Sequence, residues 1–227
     1  MNKAAVIVAG GKGMRMGGSL SKQYLPLAGK PIVMHTLEKF HASEPSVYLM
    51  LVLPHADFDY WKGLCDSHNF TLPHQLVAGG ASRFQSVKNG LLALPFQEGL
   101  VAIHDGVRPF VSEKVIQTSF EKAEEKGSAI PVVALKDSLR KVDTTGESSF
   151  QDRAHFRLVQ TPQTFQLKPL LQAFSVEELA IFSDDATVYE HQGWEVSLIE
   201  GNPENIKLTT PEDLSFAEFL MTTKVVD

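Results

Sequence analysis

Apolar positions along the chain fall into short runs separated by longer amphipathic stretches. The uncharged, β-prone run 4–9, the run 47–53 stopped by Pro54, and the runs 76–78, 100–104 and 128–134 predict five strands. Runs without polar alternation suit strands covered on both faces. Between them, 31–40, 56–70, a stretch from the Gly79-Gly80 turn to about Leu94, and 114–126 ended by Gly127 carry helical spacing, with Pro31 in the first turn of its helix. Strands alternating with helices imply right-handed crossovers and a mainly parallel sheet. The pattern changes after Ala134. Polar stretches at 136–142 and about 150–159 flank the turn 143–147 and predict a β-hairpin arm with little core of its own. Two strands are marginal alone in water, so the arm is expected to pack on another chain. The remainder returns to α/β: a helix after Leu167, a second at 183–191, a strand at 194–199 and a closing helix from Pro211. The expectation is one domain over 1–227 with an arm at about 136–159.

Composition narrows the function classes. A net charge of −6 argues against general nucleic-acid binding, so any cationic cluster should be local and ligand-directed. One cysteine, Cys65, allows no intramolecular disulfide and no thiolate zinc cluster, and is consistent with a reducing compartment. Met1-Asn2-Lys3 runs straight into the first predicted strand and no apolar run reaches membrane-spanning length, so a cytoplasmic protein is expected.

The first run empties into Gly10-Gly11-Lys12-Gly13-Met14-Arg15-Met16, with Lys22-Gln23-Tyr24-Leu25 just beyond. Glycines let backbone amides turn toward anionic oxygens, and Lys12, Arg15 and Lys22 add positive charge, so a polyphosphate suits the loop. It is not a P-loop, since neither Gly11-Lys12 nor Gly29-Lys30 has the required earlier glycine and following hydroxyl. It is not a dinucleotide fingerprint either, since Met16 stands where the third glycine belongs and the next strand ends without the ribose-binding acid.

Asp105, just past the fourth strand, is placed to meet a divalent cation riding on a triphosphate, or is an ordinary turn acid. His104 alternates away from it and is not a ligand candidate. Arg108 reads equally as substrate-facing or as a structural ion-pair partner. Gly79-Gly80 followed by Ser86 repeats the logic of the first loop, against the alternative of a plain tight turn. The segment 183–185 has the look of a helix cap with acidic first-turn residues, and 201–209 that of a turn into a short strand whose lysine, Lys207, points toward the site.

The early glycine loop resembles that of nucleotidyltransferases that join a nucleoside triphosphate to a sugar or polyol phosphate. The ordered set is more specific. Ala9-Gly10-Gly11-x-Gly13-x-Arg15-Met16, Lys22-Gln23-Tyr24-Leu25, Gly79-Gly80 with Ser86, His104-Asp105-x-x-Arg108-Pro109, Asp152-Arg153, Thr161-Pro162-Gln163, Ser183-Asp184-Asp185-Ala186 and Asn205-Ile206-Lys207-x-Thr209-x-Pro211-Glu212-Asp213-Leu214 together resemble the 2-C-methyl-D-erythritol 4-phosphate cytidylyltransferase family across essentially the whole chain. The resemblance implies a Rossmann-like α/β fold with helices on both faces of the sheet. It also implies attack of the 4-phosphate of methylerythritol phosphate on the α-phosphorus of CTP, releasing pyrophosphate. On that basis Arg15, Lys22 and Lys207 would be catalytic, and Ala9, Gly10, Gly11, Gly13, Gly80, Ala81 and Ser86 would bind CTP. Asp105, Arg108, Arg153, Thr161, Ser183 and Glu204 would bind the polyol phosphate. Mg²⁺ would sit near Asp105, and Arg153 would cross to the partner of a homodimer joined through the arm.

This chain departs from the family's usual residues at Gly10, Ala81, Gly106-Val107, Ser183 and Glu204; the last bears on polyol specificity. Two rival functions share the motifs in part, a ribitol 5-phosphate cytidylyltransferase and a nucleotide-binding sensor without catalysis. The string 205–219 leans toward methylerythritol phosphate, and Arg15, Lys22, Asp105 and Lys207 together speak against a sensor.

Overall fold

The computed structural model describes residues 1–11 and 21–223. In chain order the strands are β1 (Lys3–Val8), β2 (Pro26–Leu27), β3 (Lys30–Pro31), β4 (Tyr48–Leu53), β5 (Gln75–Ala78), β6 (Leu100–Asp105), β7 (Ser128–Ala134), β8 (Leu139–Val142), β9 (Ser148–Gln151), β10 (Arg157–Val159), β11 (Gln163–Gln166) and β12 (Leu198–Glu200). The helices are α1 (Ile32–Ser43), α2 (Phe58–Ser67), α3 (Arg83–Leu92), α4 (Glu113–Lys126), α5 (Leu167–Ala173), α6 (Asp185–Glu190) and α7 (Pro211–Thr223). The main sheet runs β10-β7-β11-β6-β1-β4-β5, with β12 also paired to β7. The β6-β1-β4-β5 half is parallel, as the buried runs predict; β11 and β10 pair antiparallel.

Alternation along β1 divides the core. Ala5 and Ile7 join Phe40, Leu51, Trp61 and Phe120 on one face, where α1, α2 and α4 lie. Ala4 and Val6 join Val52, Phe84, Ile103 and Phe165 on the other, under α3, α5 and α6. Gly90 lets α3 approach closely, since a Cβ there would lie 2.6 Å from Val6 Cγ1. A smaller cluster of Leu27, Ile32, Val107, Phe110, Leu208 and Leu220 fastens α7. Caps set the helix bounds: Ser82 and Ser112 accept from Gln85 and Val115 N–H, and Gly127 closes α4 at φ 90°.

Several expectations are corrected. The arm is shorter than 136–159, because only β8 and β9 pair as the hairpin; the apolar Leu158 and Val159 return as β10 to the edge of β7. β11 is a further strand that the sequence pattern does not predict. No element was assigned to 163–166; Thr164 bonds Ser119 and Gln163 bonds Asp184 and Ala186 N–H, partners remote in sequence. The strand expected at 194–199 is confined to Leu198–Glu200, and 206–208 forms no strand although Leu208 N–H bonds the Val107 carbonyl. Pro31 caps α1 from β3 rather than sitting in its first turn.

Candidate active site

The carboxyl ends of four parallel strands lie side by side and are stitched together by backbone bonds. Ala9 N–H donates to the Val52 carbonyl (2.9 Å), Gly79 N–H to Leu53 (2.8 Å) and Gly106 N–H to Val8 (2.9 Å). This is the edge at which open α/β sheets bind ligands. It brings three of the predicted groups together.

The first group is the β1 loop. Ala9 is buried, Gly10 half-buried and Gly11 exposed. A Cβ on Gly11 would lie 3.8 Å from Lys22 Cε, so the lysine stem runs close along the loop backbone. Lys22 opens a single 3₁₀ turn ending in Tyr24, which is buried, donates its hydroxyl to Asp57 (3.0 Å) and packs edge-on against Tyr60. Gly13 and Arg15 lie outside the described residues.

In the second group, the Ser86 hydroxyl donates to the Ser82 carbonyl and accepts from Gly80 N–H at 3.1 Å. A Cβ on Gly79 would come within 3.0 Å of that hydroxyl, and one on Gly10 within 3.9 Å, so Ser86 sits between the two glycine loops. Ala81 N–H donates to Gln85 Oε1. Gly80 and Ala81 are exposed, while Ser86 is buried.

The third group surrounds Asp105. Its Oδ2 lies 3.0 Å from Lys207 Nζ and 3.3 Å from Arg108 Nε; its Oδ1 faces Arg83 Nε at 3.7 Å. Burial alone would raise this carboxyl, but Arg83, Lys207 and Arg108 outweigh it and hold it well below the usual carboxylate range. Arg108 also donates to the Asn205 carbonyl (2.8 Å), so it is both an ion-pair partner and a tie to the 201–208 segment.

Beneath Asp105 lies a strut that the sequence did not reveal. His104 is fully buried on the opposite face of β6, with Phe40 edge-on at 4.9 Å. Its Nε2 is 3.0 Å from the Arg108 carbonyl, which can only accept, so the ring proton is on Nε2 and Nδ1 accepts from Thr161 (3.0 Å). The Thr161 hydroxyl in turn accepts from Asp105 N–H (3.2 Å). Burial pushes the imidazole down to about 4, so it is neutral near pH 7. Thr36 adds a bond to the Gly106 carbonyl, and the 105–108 turn is thus held from both sides.

Other predicted residues sit apart from these groups or are engaged elsewhere. Arg153, on the turn after β9, donates to the Lys136 carbonyl at the base of the arm. Glu204 accepts from Asn202 of its own turn (3.3 Å), and Ser183 is exposed ahead of α6. Two further residues carried no assignment from sequence: Arg83 and the fully buried Asp185, joined by a fork of 2.9 and 2.6 Å. Burial pushes the Asp185 carboxyl up while Arg83 pulls it back. The 183–185 segment is the helix cap with acidic first turn that its sequence suggested, with Asp184 supplying the capping oxygen and Asp185 the first-turn acid.

Asp105 is the described carboxylate at this sheet edge that could meet a divalent cation. Among the described residues no group of three His, Cys, Asp or Glu side chains could cage a metal ion. Asp105 can offer one oxygen, Oδ1, which has the looser of its cationic neighbours. That suits an ion that arrives on a triphosphate with its other ligands supplied by phosphate and water.

A family model described as 2-C-methyl-D-erythritol 4-phosphate cytidylyltransferase matches residues 3–223. Relatives of that name include one from Phocaeicola vulgatus, 49% identical over 97% of this chain and 100% of the relative. Another, from Geobacillus kaustophilus, is 37% identical and covers all of both chains. Among solved structures, 4-diphosphocytidyl-2C-methyl-D-erythritol synthase from Anaerococcus prevotii superposes with a TM-score of 0.85 at 27% identity, covering 97% of this chain and 96% of that one. The Thermus thermophilus 2-C-methyl-D-erythritol 4-phosphate cytidylyltransferase gives 0.79 at 30% identity, with coverages of 98% and 100%.

Proposed function

Since the chain belongs to the 2-C-methyl-D-erythritol 4-phosphate cytidylyltransferase family, we propose a division of labour among its residues for that family's reaction. The enzyme transfers CMP from CTP to 2-C-methyl-D-erythritol 4-phosphate in the non-mevalonate isoprenoid pathway. A phosphate oxygen of the acceptor forms a bond to the α-phosphorus of CTP as the bond to the β-phosphate oxygen breaks and pyrophosphate leaves. The acceptor phosphate is already anionic near neutral pH, so no side chain has to remove a proton. Catalysis therefore rests on alignment and on charge stabilisation.

One observation supports the assignment most directly: a single sheet edge carries the Gly10–Gly11 loop with Lys22, the Gly79–Gly80 turn with Ser86, and the Asp105–Arg108–Lys207 cluster. Gly10, Gly11, Gly80, Ala81 and Ser86 bind the cytidine and triphosphate, and Ala9 forms the wall behind them. Lys22, with Arg15 and Gly13 of the same loop, meets the charge that builds on the α-phosphoryl group. Lys207 and Arg108, oriented by Asp105, hold the acceptor phosphate in line, while Ser183 and Glu204 face its polyol. Thr161 acts through His104 and Asp105. Asp105 would hold a Mg²⁺ ion bound with CTP, and that ion would supply charge neutralisation for the triphosphate.

The same proposal makes the working unit a homodimer. The arm's exposed Val142 and Phe150, and a hairpin that pairs only with itself, favour a partner over it. Arg153 then serves the partner's acceptor site. The lone Cys65 suits a cytoplasmic, reducing setting. Mixing two inactive variants, Arg153→Ala and Lys22→Ala, tests the arrangement. Random exchange leaves one intact site in each heterodimer, so about a quarter of wild-type activity should return. Recovery of none, with exchange verified, would place Arg153 in its own chain's site, and wild-type activity of Arg153→Ala by itself would remove it from the chemistry.

A further inference from the structure

Arg83 opens α3, the helix whose Ser86 fastens the Gly79–Gly80 turn, and Asn89 of the same helix bonds the Ala78 carbonyl at 3.0 Å. The other side of its first turn grips a different segment. The Phe84 ring stacks on Phe182 with centroids 5.6 Å apart, and Arg83 forks onto Asp185 through both Nη atoms. Ser183 and Asp184 lie between these two anchors. Arg83 also reaches the third element of the site, with its Nε 3.7 Å from Asp105 Oδ1. One guanidinium thus spans carboxylates from the end of β6 and the start of α6 while standing on the helix that shapes the nucleotide-facing turn.

We infer that Arg83 and Asp185 are positioning residues for the acceptor: their fork fixes the 183–185 segment and the Asp105 carboxylate relative to the nucleotide loops. The inference rests on the reading above that Ser183 and Asp105 serve the polyol phosphate. A planar fork with two bonds defines both the distance and the angle between α3 and α6, which a single ammonium does not. Asp185 is fully buried, so its negative charge demands a partner, and Arg83 supplies it without leaving Asp105. The glycine turn is held to α3 by Ser86 and Asn89, and Ser82 caps that helix, so loosening the fork leaves the nucleotide loops in place.

The test compares Arg83→Lys, which keeps the charge but cannot make the fork, with Asp185→Asn, which keeps the shape. For both variants we expect the KM for methylerythritol phosphate to rise roughly tenfold or more, since a small misplacement far from the chemistry is costly. The KM for CTP and the kcat at saturating acceptor should change less than about threefold, because the nucleotide loops remain fixed. A purely structural pair predicts something different: a lower melting temperature and a smaller active fraction, with both KM values unchanged. Folded Arg83→Lys and Asp185→Asn proteins with wild-type KM for the acceptor, or with equal rises in both KM values, would overturn the inference. Ser183→Ala, assayed in parallel, tests the underlying reading by itself. An unchanged acceptor KM there removes Ser183 from the acceptor site, while the role of Arg83 is still decided by its own variants.

Discussion

His104 provides a quantitative test of the site's foundation. It is buried between Phe40 and Thr161, and its single ring proton goes to the Arg108 carbonyl. Burial lowers its pKa from 6.5 to about 4. Between those values the unfolded chain takes up a proton that the folded protein excludes, so acid favours unfolding. The contribution is complete above the unfolded value and is lost as pH falls toward the folded one. At about 1.4 kcal/mol per pKa unit the whole shift is worth roughly 3 kcal/mol, most of which should be gone at pH 4.5. His35 and His74, also lowered by burial, act in the same direction. The measurement is therefore a difference: urea unfolding from pH 7.5 to 4.5 for the wild type and for His104→Gln, whose amide offers a donor and an acceptor but does not titrate. The stability gap between the two proteins should shift by about 2–3 kcal/mol across that range in favour of the variant at acid pH. Parallel curves would refute the reasoning, since they would mean that His104 takes up its proton equally in both states.

Three other outcomes follow from contacts already described. Lys207→Met removes the cation 3.0 Å from Asp105, and should lower kcat/KM by about 100-fold or more in steady-state assays while leaving the melting temperature close to wild type. Gly90→Ala would force a methyl against Val6 and Val52, at 2.6 and 3.1 Å, and should cost about 1–3 kcal/mol in denaturant unfolding as α3 is lifted from the sheet. Ser112→Ala deletes the cap that accepts from Val115 N–H at 3.2 Å, and should cost about 1 kcal/mol with activity retained.

Much of this architecture was legible because local signals agreed with one another. The parallel half of the sheet followed from unbroken apolar runs, and α4 from a run that ends at Gly127, which adopts the left-handed conformation expected of a terminating glycine. Asp105 and Lys207, far apart in the chain, were each assigned to the site, and they meet at 3.0 Å. What the sequence hid depends on partners distant along the chain. β11 carries buried glutamine and threonine residues whose hydrogen bonds end on α4 and α6, so no periodicity announces it. His104 differs from a surface histidine only through Phe40, Arg108 and Thr161, which the fold brings around it. Asp185 read only as an acidic first-turn residue, and its buried ion pair depends on Arg83, 102 residues earlier. The arm was overestimated because Leu158 and Val159 continue a strand-like pattern but belong to the sheet edge.

The most direct test is pyrophosphate release from CTP and Mg²⁺, with 2-C-methyl-D-erythritol 4-phosphate and ribitol 5-phosphate supplied in parallel to the wild type and to Lys22→Ala. The account predicts release by the wild type with methylerythritol phosphate alone, and a rate for Lys22→Ala lower by about 100-fold or more despite retained CTP binding. Release only with ribitol phosphate, or wild-type turnover by Lys22→Ala, would contradict it.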